Sequence, residues 1–316
     1  MTYRPIKPFL SYEDQIRNLI ERKGLSIDDV PTAVSALEDI SYYALIGGYK
    51  DLFYDPMTRK YYPGTAFGDI LALYRFDHAL RRLFFSNICV IEEKLRSHIS
   101  YHFVETYGEE QANYLTATNY ANTRRNRSDI SGLIRILGHI AIHDRQHGSV
   151  VYQRTTYNNV PLWAAIRILT FGQSSKMYSL LQPSVKAKVS HHFEHVTERE
   201  LIQHIRFLTD IRNVCAHNER LFSHIDRYEI PDTGIHENLS IQKNGDHYIY
   251  GKNDLFAAVI SLKYLLGKPD FLEFKRQLNR EISKVIRHSL SLDGQFLLTS
   301  MGFPSDWKRI GRMGIT

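Results

Sequence analysis

Between about Phe67 and Tyr107 the apolar residues Ile70, Leu73, Leu80, Phe84, Ile88, Ile91, Leu95 and Ile99 recur at spacings of three, four and seven. That period belongs to an α-helix with one buried stripe. A stripe of this length has to be covered by other elements along its whole course, which commits the chain to a layered helical body. Inside it Glu92 precedes Arg96 by four residues, the favourable order for an ion pair on one helix face. A buried structural pair is the expected role, with support of an active site as the alternative.

The rest of the first 228 residues also reads as helix. Ser11-Tyr12-Glu13-Asp14 has the form of an N-cap opening a helix over Gln15–Lys23, which Gly24 closes. A second helix is expected from about Thr32 to Leu45, ending at Gly47-Gly48, and a loop over Leu52–Gly64. After an exposed basic loop at Asn119–Ser128 come a helix over Ser131–His147 and one opened by Pro161 over Leu162–Phe171, which Gly172 stops. Shorter helices are expected at Ser174–Leu181 and Pro183–Phe193. Thr197-Glu198-Arg199-Glu200 then begins another helix. Past residue 228 the texture changes: Leu239–Tyr250, with Asn244-Gly245 as turn signal, resembles a β-hairpin. Helices near Asp254–Leu266 and Asp270–His288 follow, then a tail with Gly302-Phe303-Pro304. The expected organisation is an all-α body over residues 1–228 with a hairpin and helical extension over 229–316 packed on it.

Composition bounds the function only loosely. Lys+Arg at 40 against Asp+Glu at 34 is mildly basic, compatible with a nucleic-acid partner without requiring one. Twenty tyrosines offer stacking surfaces or half-buried packing. Cys89 and Cys215 sit in apolar helical contexts and are expected to be buried reduced thiols, with no disulfide framework. Met1–Pro8 has no apolar leader core, and no run approaches the roughly 18 apolar residues of a membrane span. A cytoplasmic protein with no membrane partner is expected.

The chemistry-bearing segment is Arg212-Asn213-Val214-Cys215-Ala216-His217. Arginine grips phosphate through a planar fork that never loses its charge. Histidine moves protons near neutral pH. At about 100° per residue, Leu201, Ile205, Leu208, Ile211 and Cys215 share one arc and Arg212 falls at its edge, while Asn213 and His217 point to the far side. Arg212 and His217 lie roughly 140° apart on an ideal helix. A compact site from one chain is therefore disfavoured, and two copies about a two-fold axis would bring two arginines and two histidines together. The plain alternative is a surface histidine beside a salt-bridged arginine.

The chain resembles the Abi-like family of abortive-infection proteins, within the HEPN ribonuclease superfamily. The resemblance covers roughly residues 7–225, with a weaker echo near Met301-Gly302-Phe303-Pro304. It is carried by ordered segments: Lys7–Ile16, Ile40–Tyr49, Leu73–Asp77 with Leu80-Arg81, Ile91–His102, Pro161-Leu162-Trp163 with Leu169–Tyr178, and Leu208–Leu221. It implies a HEPN-type helical bundle, an Arg-x4-His motif and metal-independent RNA cleavage in phage defence or as a toxin, without a cofactor. By motif position Arg212 would contact the scissile phosphate, His217 would act as general acid or base, and Asn213 would orient the site. The expected partners are RNA, a second copy of the chain, and an antitoxin or regulatory small RNA. One departure from the pattern is Asn218-Glu219 after His217; Glu219 would repel RNA unless Arg220 neutralised it.

Weaker signals remain. Arg124, Arg125 and Arg127 form an exposed cluster that could track an RNA backbone or simply be solvated. His139, His143 and His147 are spaced for one helix face, and His98/His102 and His191/His195 repeat that spacing. No carboxylate or cysteine completes a known metal pattern, so no metal is expected. Two non-enzymatic readings stand beside the nuclease: a module that holds a structured RNA intact, and a helical scaffold that senses a phage protein.

Overall fold

The computed structural model describes residues 8–289 and 291–314. Residues 1–7, on which most of the reading of the chain's start rests, lie outside the described residues, as do Leu290, Ile315 and Thr316. Among the described residues the helices are α1 (Tyr12–Glu21), α2 (Val30–Ile40), α3 (Phe67–Tyr107), α4 (Gln111–Tyr114), α5 (Arg127–His143), α6 (Gly148–Tyr157), α7 (Leu162–Ala165), α8 (Phe171–Leu180), α9 (Pro183–Ser190), α10 (Glu198–Ala216), α11 (Gly234–Asn238), α12 (Leu255–Leu265), α13 (Lys268–His288) and α14 (Gly294–Ser300). The strands are two minimal antiparallel hairpins, Tyr54–Asp55 with Lys60–Tyr61 and Lys243–Asn244 with His247–Tyr248. The fold is all-α.

Helix α3 has the bounds its periodicity predicts, and all eight apolar residues of its stripe are fully buried. At 1.5 Å per residue it is about 60 Å long. Helices α10 and α13 pack along it, with α7, α8 and α9 against it as well. Helix α12 is apolar all round and every one of its residues is buried; it touches α3, α10 and α13. Its ties to α10 are specific, since His204 Nδ1 lies 2.9 Å from Ser261 Oγ and the His204 ring stacks on Tyr264.

Several boundaries differ from the expected ones, each for a local reason. The Thr32–Leu45 helix ends at Ile40 because Ser41 turns to φ 72°, and a separate π-helical turn covers Tyr43–Gly47. The Leu52–Gly64 loop contains the first hairpin. Helix α5 ends four residues early: the Asp144 carboxylate accepts the backbone amides of Gln146 and His147 at 3.2 and 2.9 Å and turns the chain. His147 thereby becomes the N-cap of α6, a helix the periodicity missed, and leaves the His139/His143 face. Gly172 does not stop a helix. It lies in the first turn of α8, opened by reciprocal capping between Thr170 and Gln173, and faces the Thr209 methyl of α10.

Candidate active site

Helix α10 begins where its capping sequence says: the Glu200 amide donates to Thr197 Oγ1, and the Thr197 amide donates to the Glu200 carboxylate. Its buried arc is the expected one, with Leu201, Ile205, Leu208 and Ile211 fully enclosed. Its end is set by Asn218 and Glu219. Asn218 takes φ 55°, its amide donates to the Cys215 carbonyl at 3.4 Å, and the Glu219 amide donates to the Val214 carbonyl at 3.1 Å. That is a left-handed helix stop, for which asparagine is the usual substitute when glycine is absent. His217 is therefore the last residue before the chain turns.

The segment after the stop is clamped from the core. Asp77 of α3 accepts the Phe222 amide at 2.7 Å, the Leu221 amide at 3.2 Å and the Tyr49 hydroxyl at 2.6 Å, and pairs with Arg81 one turn on. Arg81 also donates to Tyr49 Oη at 3.1 Å and to the Glu219 carbonyl at 3.2 Å. All three side chains are buried. Arg220 points away from Glu219, to the Gly48 carbonyl and the Asp51 carboxylate, both at 2.8 Å.

Arg212 and His217 occupy different surroundings. Arg212 Nε is 4.0 Å from Glu92 Oε2, and its guanidinium lies 5.3 Å from the Phe85 ring centre. This Nε is out of water and makes no hydrogen bond. Glu92, itself buried, also pairs with Arg96, which donates to the Leu169 carbonyl and to Ser174 Oγ. One carboxylate thus sits between two guanidinium groups. Asn213 and His217 instead line an open groove of about 310 Å³ with Asp210, Glu219, His224 and Asp226. His224 Nε2 is 3.5 Å from Asp226 Oδ2, is buried, and makes no hydrogen bond. Burial, and then the neighbouring Asp226, push the Asp210 carboxyl above its usual range.

Arg124, Arg125 and Arg127 are exposed on the α4–α5 connection and the first residue of α5, and do not line the groove. The cysteines offer no nucleophile. Burial pushes the Cys215 thiol up to about 12 and raises Cys89 as well, although Cys89 is partly exposed rather than buried as expected.

A family model described as Abi-like protein matches residues 35–223, more than half of the chain. The chain belongs to the Abi-like protein family. No curated protein and no solved structure matches it. In this Abi-like chain the matched region begins in α2 and ends one residue beyond Phe222, so it contains both sides of the Asp77 clamp. Sequence reasoning quoted Asp77 and Arg81 within a family segment but gave them no role; their spacing of four on a helix was the available signal. Tyr49 and Asp210 likewise lie in family-like segments without an assigned role, and His224 and Asp226 lie beyond those segments. Among the described residues of this Abi-like protein, no helix is long and apolar enough to cross a membrane.

Proposed function

We propose that this Abi-like protein is a metal-independent endoribonuclease of the HEPN type, acting in phage defence through a site built from two copies of the chain. The observation that carries the reading is the setting of Arg212: a permanent cation at the edge of a buried face, its Nε turned inward 4.0 Å from Glu92 Oε2 and its side chain still 29% exposed. Such a cation suits a phosphate oxygen. The groove that holds His217 and Asn213 carries Asp210, Asp226 and Glu219 against one arginine, Arg227, which is 3.4 Å from Asp210, so a phosphate there would gain from a further cation. A second copy about a two-fold axis would supply it.

In the proposed reaction His217 takes the proton of a 2′-hydroxyl, and the 2′-oxygen attacks the adjacent phosphorus. Arg212 holds the charge that grows on the phosphoryl oxygens. The P–O5′ bond breaks, a second imidazole returns a proton to the 5′-oxygen, and a 2′,3′-cyclic phosphate remains. Asn213, one helical turn before His217, would orient the scissile group, and the Glu92–Arg96 pair would set the position of Arg212. Purified protein should cleave RNA in EDTA, and Arg212→Ala and His217→Ala should each abolish cleavage while the helical circular-dichroism spectrum is kept. Cleavage that persists in both variants rejects the reading.

A second reading rests on the exposed Arg124, Arg125 and Arg127. These could track the backbone of a structured RNA, such as a regulatory or antitoxin RNA, without cutting it. Salt-dependent binding of an RNA that stays intact for hours would favour that reading.

A further inference from the structure

Helix α3 carries His98 and His102 one turn apart, and the turn after α9 brings His192 against both. The His102 and His192 Nε2 atoms are 2.8 Å apart, and the His98 and His192 rings stack with centres 3.7 Å apart at an interplanar angle of 7°. One ring nitrogen from each of the three lies within 4.8 Å of the others. Among the described residues no other such group of histidines, cysteines and carboxylates forms. His191 and His195, which repeat the four-residue spacing in the sequence, do not join this cluster.

We infer that His98, His102 and His192 form a binding site for a divalent transition-metal ion of the zinc class. Two histidines four residues apart on one helix project their rings along the same face, the spacing by which helices chelate zinc. A tetrahedral ion with nitrogen ligands at about 2.0–2.1 Å sets those nitrogens a little over 3 Å apart. The His102/His192 pair is therefore already near that edge length. His102 has the outer partner that such ligands usually carry: its Nδ1 is 3.1 Å from Glu105 Oε2, and Lys188 holds the same carboxylate oxygen at 2.9 Å. A hydrogen bond from Nδ1–H to Glu105 leaves the His102 Nε2 lone pair free to face the ion.

Coordination asks for two small changes. His192 shifts its ring proton from Nε2 to Nδ1, which exchanges one neutral tautomer for another. His98 swings out of the stack to aim its lone pair. His192 is exposed and lines a cavity of about 400 Å³ with Lys94, Glu194 and His195, which leaves room for water as a fourth ligand. Lys94 faces the cluster; it lies over the Phe193 ring at 4.3 Å, Glu194 is its nearby counter-charge, and Lys263 and Lys268 line the same cavity.

An ion there would tie α3 to the turn that leads into α10. The site does not use Arg212 or His217 and does not depend on the nuclease reading. The test is a titration of the purified, metal-stripped full chain with Co²⁺, followed by visible d–d absorption, and with Zn²⁺, followed by Tm. Wild-type protein and Arg212→Ala should bind one Co²⁺ per chain with tetrahedral bands, and Zn²⁺ should raise Tm. His192→Ala, on an exposed turn, should fold normally and lose both signals. Glu105→Gln should weaken binding about 10–100-fold, and the double variant His139→Ala/His143→Ala should change nothing. Stoichiometric binding that survives in His192→Ala, or no bands in the wild type, overturns the assignment.

Discussion

Asp77 accepts hydrogen bonds from a phenol, a guanidinium and two backbone amides, all out of water. Replacing it with alanine strands these donors and leaves Arg81 as a buried charge without its counter-ion. Breaking a buried pair in this way costs about 3–5 kcal/mol, so Asp77→Ala should lower the urea midpoint steeply. Asp77→Asn, which keeps one carbonyl acceptor, should cost less. Equal midpoints for both variants and wild type would refute the clamp. Arg212 calls for a different substitution, because the proposed role needs a fork and not only a charge. Arg212→Lys retains the cation but cannot present two parallel donors. If the site works as proposed, its RNA cleavage should drop by about 10²–10³ with stability little changed. Undiminished cleavage would mean that charge alone suffices.

The end of α10 makes its own prediction. Asn218 holds a left-handed backbone, so glycine there should be neutral or mildly stabilising. Valine should cost about 1–2 kcal/mol and loosen the turn next to His217, as read by thermal melts of both variants. How much of each element was legible follows from where its determinants lie. Helix α3 and the cap and arc of α10 were readable because propensity, spacing and capping all sit inside one window. The early stop of α2 and the departure of His147 from the α5 face were not. There a single serine or aspartate captures backbone at close range and overrides the apolar period. The Asp77 clamp was half readable: its ion pair is local, but its amide partners lie 144 and 145 residues away. Arg212 and His217 face different surroundings at the end of one helix, as their spacing predicts, whereas His224 and Asp226 reach the groove through a loop with no periodic signal.

For the molecule as a whole, the two-copy site can be separated from a one-chain site by mixing variants. Arg212→Ala and His217→Ala, each inactive alone, should regain partial RNA cleavage when unfolded and refolded together. A site confined to one chain would stay silent in the mixture. Stability should also report the histidines whose protonation the fold disfavours. His204 is held near 3 by burial and His98 near 4, with His236 and His192 lowered too. Each is neutral in the folded state, so its contribution is complete above about pH 6.5 and is lost as pH falls below that. Asp254 opposes them: burial lifts it to about 6, so folding gains as pH drops from there toward the ordinary carboxylate range. Asp77 and Asp210, also raised by burial, act with it, while His204 alone should weaken the folded state between about pH 6.5 and 5 at up to roughly 1.4 kcal/mol per unit. His204→Gln should flatten that slope and Asp254→Asn should steepen it, measured by urea unfolding at each pH.

The enclosure of α12 also bears on how the chain is made. A ribosome releases α3 and α10 well before Leu255–Leu265, yet α12 is the helix that covers both and binds His204 through Ser261. The order of synthesis and the order of burial therefore run against each other. Until α12 follows, part of the face of α10 stays open to water, and the helix bearing Arg212 and His217 lacks a neighbour that fixes it. A nascent chain has the motif long before it has the support, which delays the finished site until most of the polypeptide has left the ribosome.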